Sequence, residues 1–295
     1  MIPLLIPMEG EEHSSWPPGV QSFASRPLFP ELGPGYDWLN NHLAQAAIGA
    51  AVVIAFWLWM ARSQQVVPGR KQFLGEWIYS FLRNQIARDI LGHDYRKYLP
   101  YLVAMFSFIL VNNLFGQFFL FMFPTFSKIG YAYGLAQLSF ILYNAAGISK
   151  YGFGNYMRRM TLPEGVPVPL WPLIIPLEFL SNFIVRPVTL ALRLFGNMFA
   201  GHLVIMVFVV GGTLLLTMTE PAAGFPVPLL NGAGVISLLF SLGIFALEIL
   251  VAVLQAYIFT VPTAQYVSSA IAEEPCPSKQ APKGNTIEIT GPINM

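Results

Sequence analysis

The sequence predicts an all-α integral membrane protein with about five transmembrane helices and one amphipathic helix at the membrane surface. Of its 295 residues, 55% are hydrophobic and 11% are charged, whereas soluble domains carry about 25% charged residues. Several apolar runs approach or exceed the roughly 20 residues that cross a bilayer. The single cysteine, Cys276, leaves no intrachain disulfide and no multi-cysteine metal site. A net charge of +1 gives no indication of nucleic-acid binding.

The first part of the chain contains one span and one helix that lies along the membrane. Residues 1–42 are rich in proline and glycine, which predicts an irregular segment outside the hydrocarbon. The apolar run 43–61 predicts the first span. In the basic region that follows, hydrophobic residues recur at helical spacing across 71–92, with polar residues on the other side. This pattern is typical of an amphipathic helix at the membrane surface.

Two further spans are predicted at 99–123 and 131–148. The second span carries Asn112, Asn113 and Gln117, which we expect to face protein or water rather than lipid. The third span is less apolar and also contains polar side chains. These either form hydrogen bonds between helices or line a water path, and both interpretations stay open.

The last two apolar stretches, 172–219 and 229–272, both exceed the length that crosses a bilayer upright. They must therefore tilt strongly or kink, and the turn between them makes them a hairpin. The membrane domain is predicted to cover 43–274, followed by a polar tail, 275–295. Lysine and arginine cluster between spans one and two and between spans three and four. The positive-inside rule then places the N-terminus outside and the C-terminus in the cytoplasm.

The most informative residue is Arg193, a charge inside the apolar run 190–219. An arginine near a bilayer centre costs at least about 2.5–3.5 kcal/mol on insertion scales, so it needs a partner. The predicted hairpin places Arg193 level with Gln255, and His202 level with Glu248. A histidine and a buried glutamate are suited to passing protons.

We expect the acidic partner of Arg193 to lie on another protein. Within this chain, Glu248 is roughly 10 Å away in depth, and Glu178 lies more than about 20 Å along its own helix. A strip of small side chains, where another helix can approach closely, follows Arg193: Gly196, Ala200 and Gly201. The alternative is a structural arginine that extends to the membrane surface or binds a backbone carbonyl.

Two motifs carry a resemblance to a known family. The run Arg186–Gly201, RPVTLALRLFGNMFAG, resembles the signature of subunit a of the F-type ATP synthase membrane sector. The run Leu254–Phe259, LQAYIF, resembles the matching motif in that family's last helix. The similarity extends from the first span to about Glu274. It implies an all-helical stator that presses two long, tilted helices against a rotating ring of c subunits.

The resemblance also implies roles for individual side chains. Arg193 would keep the carboxylate of a passing c subunit ionised and would block protons from crossing directly between two half-channels. The outer half-channel would be lined by Asn197, His202, Glu248 and Gln255, and the weaker match at Glu178 resembles an acid near the cytoplasmic exit. Many bacterial members carry glutamate at the position of His202 and histidine at that of Glu248. We expect this exchange to preserve the pair, with the order of proton transfer open.

The implied function is a non-catalytic, proton-translocating subunit that couples proton flow to rotation of the c-ring for ATP synthesis. The implied partners are the c-ring, the b subunits of the peripheral stalk, other ATP synthase subunits, lipid and protons. We expect no metal, no cofactor and no nucleic acid. A bacterial inner membrane is the expected location, with an organelle's energy-coupling membrane as the alternative. The competing function is a secondary transporter of a small solute, although many such transporters have repeated halves and this sequence has none.

Overall fold

A computed structural model describes residues 19, 40–62, 69–117, 125–162, 168–218 and 226–272. The predicted N-terminal segment lies almost wholly outside these residues, as do the polar tail and the predicted hairpin turn near Gly224. The described part is built from helices, which confirms the all-α class. Four of its helical stretches are long and apolar enough to cross a membrane.

The first half of the described chain contains four α-helices. These are α1 (Asn41–Ala61), α2 (Arg70–Phe81), α3 (Asp89–Leu91) and α4 (Tyr95–Gln117). A π-helical segment, Leu82–Arg88, joins α2 to α3. The predicted surface helix at 71–92 is therefore helical, with a wider turn in its second half.

The second half contains five more α-helices. These are α5 (Ile129–Tyr151), α6 (Phe153–Thr161), α7 (Trp171–Leu180), α8 (Arg186–Thr217) and α9 (Val227–Ile271). A second π-helical segment, Ser181–Val185, joins α7 to α8. It ends where Pro187, which has no backbone N–H, enters the helix. The predicted stretch 172–219 is thus one long helix with a local change of winding.

The apolar side chains of the surface helix divide between the protein interior and the outside. Leu82 and Ile86 are fully buried in the core. Phe73 and Trp77 instead remain more than half exposed. Large exposed apolar side chains of this kind are expected where a helix lies against lipid.

Helix α9 is the centre of the packing, because it contacts α4, α5 and α8. Its side that faces these helices includes Ala252, Ala256 and Ala264, all fully buried. Small side chains let helices approach closely in a membrane protein. Helix α1 packs mainly on α4, and α5 packs on both α8 and α9.

The polar side chains of the third span mainly hold helices together. The Ser139 hydroxyl lies 3.0 Å from the Tyr101 hydroxyl of α4. Asn144 accepts a 2.9 Å hydrogen bond from the Tyr156 hydroxyl of α6. Of the two interpretations of these polar groups, the described contacts favour hydrogen bonding between helices.

Helix α6 lies in the basic, proline-rich connection after the third span, where the sequence indicated no helix. Gly152 adopts a positive φ of 76° and ends α5, a conformation that glycine adopts readily. Tyr156 then packs on Gly147, where a Cβ would collide with its ring. The connection is therefore folded back onto α5.

Three side chains from this region hold the C-terminal end of α9. The Tyr151 hydroxyl donates to the carbonyl of Ala272 at 2.7 Å, and Lys150 Nζ donates to that of Ile271 at 2.9 Å. Arg159 also donates to the Ala272 carbonyl, at 3.3 Å. Cations near a helix C-terminus are favourable because the last carbonyls carry partial negative charge.

Candidate functional site

Helices α8 and α9 form the predicted antiparallel pair. The Ser237 hydroxyl donates to the Phe208 carbonyl at 2.8 Å, and the backbones approach closely where Gly212 meets Gly234. These contacts set which residues of the two helices lie at the same depth. They bring each predicted residue of α8 near the expected region of α9.

Arg193 binds a backbone carbonyl that a proline makes available. Its Nη1 donates to the Ile258 carbonyl of α9 at 3.2 Å. In a regular helix this carbonyl would accept from the N–H four residues later, but that residue is Pro262, which has no N–H. The proline therefore leaves the Ile258 carbonyl open to the guanidinium.

The guanidinium of Arg193 forms no ion pair within the described ranges. The side chain is half-buried and lies next to Leu192, which is 48% exposed. The strip of small residues beside it has two different environments. Gly196 has open space where a Cβ would point, and Ala200 is exposed, whereas Gly201 packs directly on the Glu248 carboxylate. The outward part of the strip can thus receive a neighbouring molecule.

Gln255 meets Asn197 rather than Arg193. The Asn197 amide donates to Gln255 Oε1 at 2.9 Å. Gln255 is 1% exposed, and its Nε2 has no hydrogen-bond partner among the described residues. Gln255 was predicted to lie at the depth of Arg193. It lies instead at the depth of Asn197, four residues further along α8, which is a difference of about one helical turn.

His202 and Glu248 are both buried near the end of α4, and no hydrogen bond or ion pair joins them in the described part of the chain. His202 Nε2 lies 2.8 Å from the Gly116 carbonyl, and its Nδ1 lies 3.2 Å from the Met198 carbonyl. The Gln117 amide donates to Glu248 Oε2 at 3.3 Å. The two residues, predicted to lie level, therefore each bind one of two consecutive residues of α4, Gly116 and Gln117.

The two contacts of His202 depend on its protonation. Both ring nitrogens face carbonyl oxygens, which accept hydrogen bonds but cannot donate them. A neutral imidazole has one N–H and can satisfy one carbonyl at a time, whereas the doubly protonated ring satisfies both. The hydrogen bonding of the site thus depends on how many protons the imidazole carries.

One side of α9 carries a series of polar contacts that leads to Arg193. Gln117 donates to Glu248, Asn113 donates to the Ala252 carbonyl at 3.4 Å, and Asn197 donates to Gln255. The series ends one turn further along α9, where Arg193 binds the Ile258 carbonyl. From residue 248 to residue 258 it extends roughly 15 Å at 1.5 Å per residue.

Glu178 lies in a separate cluster on α7. Its Oε2 accepts a 3.3 Å hydrogen bond from Asn182, whose amide also donates to the Met160 carbonyl at 2.6 Å. Arg186, one turn further along, places its guanidinium carbon 4.9 Å from the centre of the Tyr266 ring. This cluster lies toward the start of α8, on the opposite side of Arg193 from His202.

Several polar residues of the site were not named as site residues from the sequence. Asn113 and Gln117 were expected only to avoid lipid, and Asn182 and Arg186 were not singled out as site residues. Each is a polar side chain inside or beside an apolar helix, which is the signal that marks intramembrane function. Helical spacing alone does not tell which of them face α9.

Comparison with known proteins places the chain in one family. The family model described as "ATP synthase A chain" matches residues 43–268. The chain is 44% identical over 269 residues to ATP synthase subunit a of a Nocardioides species, covering 88% of this chain and 94% of the relative. It is 40% identical to the subunit a of Pseudarthrobacter chlorophenolicus, covering 92% and 98%. For the subunit a of Streptomyces lividans, identity is 30%, covering 87% and 88%.

Proposed function

The chain belongs to the ATP synthase A chain family, and from this premise we propose that it is the stator that couples proton flow to rotation of a c-ring. As a multi-pass membrane subunit of an ATP synthase, it takes part in proton transport and ATP synthesis. The proposed part is the mechanism: two offset half-channels separated by Arg193.

The observation that carries this proposal is the environment of Arg193. Binding to the Ile258 carbonyl is the contact expected of a structural arginine, but within the described ranges it leaves the charge of Arg193, costly in an apolar helix, without a carboxylate counter-ion. Beside it lies an outward surface at Gly196 and Ala200 that has room for another helix. A carboxylate presented there would be favoured in its ionised form by the guanidinium. That carboxylate is proposed to belong to a c subunit.

The outer half-channel is proposed to follow the polar series on α9. His202 and Glu248 can each bind and release a proton, and both lie at the Gln117 end of α4. Gln255 and Asn197 continue the series toward Arg193 as neutral groups that bind water or a protonated water. A proton that reaches the ring carboxylate neutralises it and weakens its attraction to Arg193.

The cytoplasmic half-channel is proposed to open near Glu178. Its carboxylate is held by Asn182 on the same helix, in the part of the chain before Arg193. A c-subunit carboxylate that loses its proton on this side becomes attracted to the guanidinium again. Arg193 lies between the two polar regions, so its charge would oppose a proton that crosses directly between them.

The proposed orientation follows the distribution of basic residues. The N-terminus would face the outside and the C-terminus the cytoplasm of a bacterial cell, with the α2 region and α6 on the cytoplasmic side. The c-ring would contact α8 and α9, whose exposed faces are apolar. The b subunits of the peripheral stalk are proposed as further partners.

The experiment that tests this function separates a stator from a secondary transporter. We expect the chain to purify with a c-ring in mild detergent and to move no solute when it is reconstituted alone. In the assembled complex, Glu248→Gln should lower passive proton conductance after the soluble head is removed. The matched control is Glu76→Gln, which neutralises an exposed acid of α2. Solute transport by the isolated chain, or normal conductance in Glu248→Gln, would contradict the proposal.

A further inference from the structure

The buried side of α1 begins with polar residues. His42, Gln45, Gly49 and Val53 are its buried positions, and their spacing places them on one face. His42 is 1% exposed and Gln45 is 4% exposed. Polar groups therefore occupy this face at the Asn41 end of the helix, and small or apolar groups occupy it further along.

Gln45 lies at the depth of the His202 and Glu248 region. Helix α1 runs antiparallel to α4, because Gly49 packs on Asn112 and Trp57 Nε1 donates to Ser107 Oγ at 3.1 Å. Gln45 lies one turn before Gly49 on α1. Because the two helices are antiparallel, the residue of α4 at the same depth lies one turn after Asn112, and this is Gly116. The Gly116 carbonyl is the one that His202 contacts.

A short turn connects this face of α1 to α8. The 3₁₀ turn Thr125–Ser127 is fully buried and contacts both helices. The Thr125 hydroxyl donates to Asn112 Oδ1 at 3.2 Å. At the end of α1 the ring of His42 lies 6.0 Å from that of Tyr131, centre to centre. Polar groups thus continue from the start of α1 to the region of His202.

On this route and in the polar series of α9, three buried amide groups have an atom without a hydrogen-bond partner among the described residues. These atoms are Gln45 Nε2, Asn113 Oδ1 and Gln255 Nε2. Each side chain is at least nine-tenths buried. A buried polar atom without a partner is costly, and such atoms typically bind ordered water. These atoms lie on α1, α4 and α9, so each of the three helices offers bound water one open donor or acceptor.

We infer that Gln45 is a water-binding residue of the proton inlet, and that the His42–Gln45 face of α1 forms the inlet's outer wall. This inference rests on the proposed function, since it assigns the outer part of the same half-channel. The ligand is water or a protonated water, which the Gln45 amide binds and passes toward Glu248. Helix α1 thereby acts in proton conduction as well as in anchoring α4.

The test measures whether water reaches position 45 in the assembled complex. In a Cys276→Ser background, Gln45→Cys is treated with 2-aminoethyl methanethiosulfonate, which reacts with the thiolate that forms in water. Val53→Cys, buried on the same face, and Ile54→Cys, 59% exposed on the other side, are the matched controls. We expect labelling of Gln45→Cys to be at least about tenfold faster than that of either control. Gln255→Cys reports the inner part of the proposed half-channel.

The outcomes separate the inference from the function on which it rests. Slow labelling of Gln45→Cys together with rapid labelling of Gln255→Cys overturns the inference and leaves the proposed function standing. Slow labelling at both positions overturns the aqueous half-channel itself. If Gln45→Cys reduces the amount of assembled complex, Thr125→Cys on the neighbouring turn decides the inference by the same comparison. Rapid labelling of Thr125→Cys supports α1 as the outer wall of the inlet, and slow labelling overturns this inference.

A second measurement tests the amide directly. Gln45→Leu keeps the approximate volume of the side chain and removes its donor and acceptor. We expect a loss of passive proton conductance with a normal amount of assembled complex, and recovery in Gln45→Asn. Normal conductance in Gln45→Leu would overturn the role of the amide.

Discussion

Gly201 determines how closely α8 approaches Glu248. A Cβ added at this position would collide with the Glu248 carboxylate, which also accepts a 3.3 Å hydrogen bond from Gln117. We therefore expect Gly201→Ala to displace the carboxylate and to slow proton transfer through it.

The expected effect is on the rate and not on the fold. The added methyl group meets the end of a flexible side chain, so the carboxylate is expected to move while the helices stay packed. Each increment of about 1.4 kcal/mol that this displacement adds to the barrier slows proton transfer about tenfold. Gly134→Ala is the matched control, because no heavy atom lies within 4 Å of the position of its Cβ. Alanine is favoured over glycine inside a helix by about 0.5–1 kcal/mol, so this control should pump normally.

The assay is ATP-driven proton pumping in membrane vesicles, normalised to the amount of assembled complex. Gly201→Ala should pump several-fold more slowly than Gly134→Ala. Equal pumping rates at equal assembly would refute the claim that Gly201 positions Glu248.

Two further changes have distinct expected results. Pro262→Ala returns an N–H that competes with Arg193 for the Ile258 carbonyl and removes a proline from a helix interior. We expect higher thermal stability with slower pumping, and unchanged pumping in a stabilised variant would contradict the role of the proline. Burial raises the pKa of Tyr156 to about 12, although a neighbouring arginine lowers it. Because the folded pKa lies above the unfolded value of about 10, the contribution of Tyr156 to stability is complete below pH 10 and is lost as the pH rises toward 12. Tyr156→Phe should remove this pH-dependent loss of stability, and it should cost about 1 kcal/mol because the hydrogen bond to Asn144 is lost. Thermal unfolding between about pH 10 and pH 12 measures both effects. The same loss of stability in Tyr156→Phe as in the unmodified protein would contradict the role of Tyr156.

The fold was predictable because the apolar runs are long and their interruptions are clear. The runs 190–219 and 229–272 were predicted to form a hairpin, and counting residues from its turn gave the residues of the two helices that lie at the same depth. Helix α6 was not predicted, since its basic residues and the prolines that follow it in the sequence are typical of a connection between helices. Its helical form depends on Tyr156 packing on Gly147, a contact between distant elements that no local pattern reveals.

For the candidate site, the sequence predicted the depth of the residues in the membrane better than it predicted their contacts. Counting placed His202 level with Glu248, and the structure puts both beside the end of α4. The sequence did not reveal that His202 binds Gly116 and Glu248 binds Gln117, because the rotation of α4 depends on packing among several helices. For the same reason the amide of Gln45 had no visible partner or role. The link between Pro262 and Arg193 also depends on that packing, although helix geometry alone shows that Pro262 frees the Ile258 carbonyl.

The most direct test of the proposed coupling is Arg193→Ala in the assembled complex. The quantities to measure are ATP-driven proton pumping, ATP synthesis and passive proton leak with the soluble head removed. We predict loss of pumping and synthesis at normal assembly, together with a rise in leak as the barrier between the half-channels is removed. Normal coupled pumping in this variant would contradict the role of Arg193 as the coupling charge.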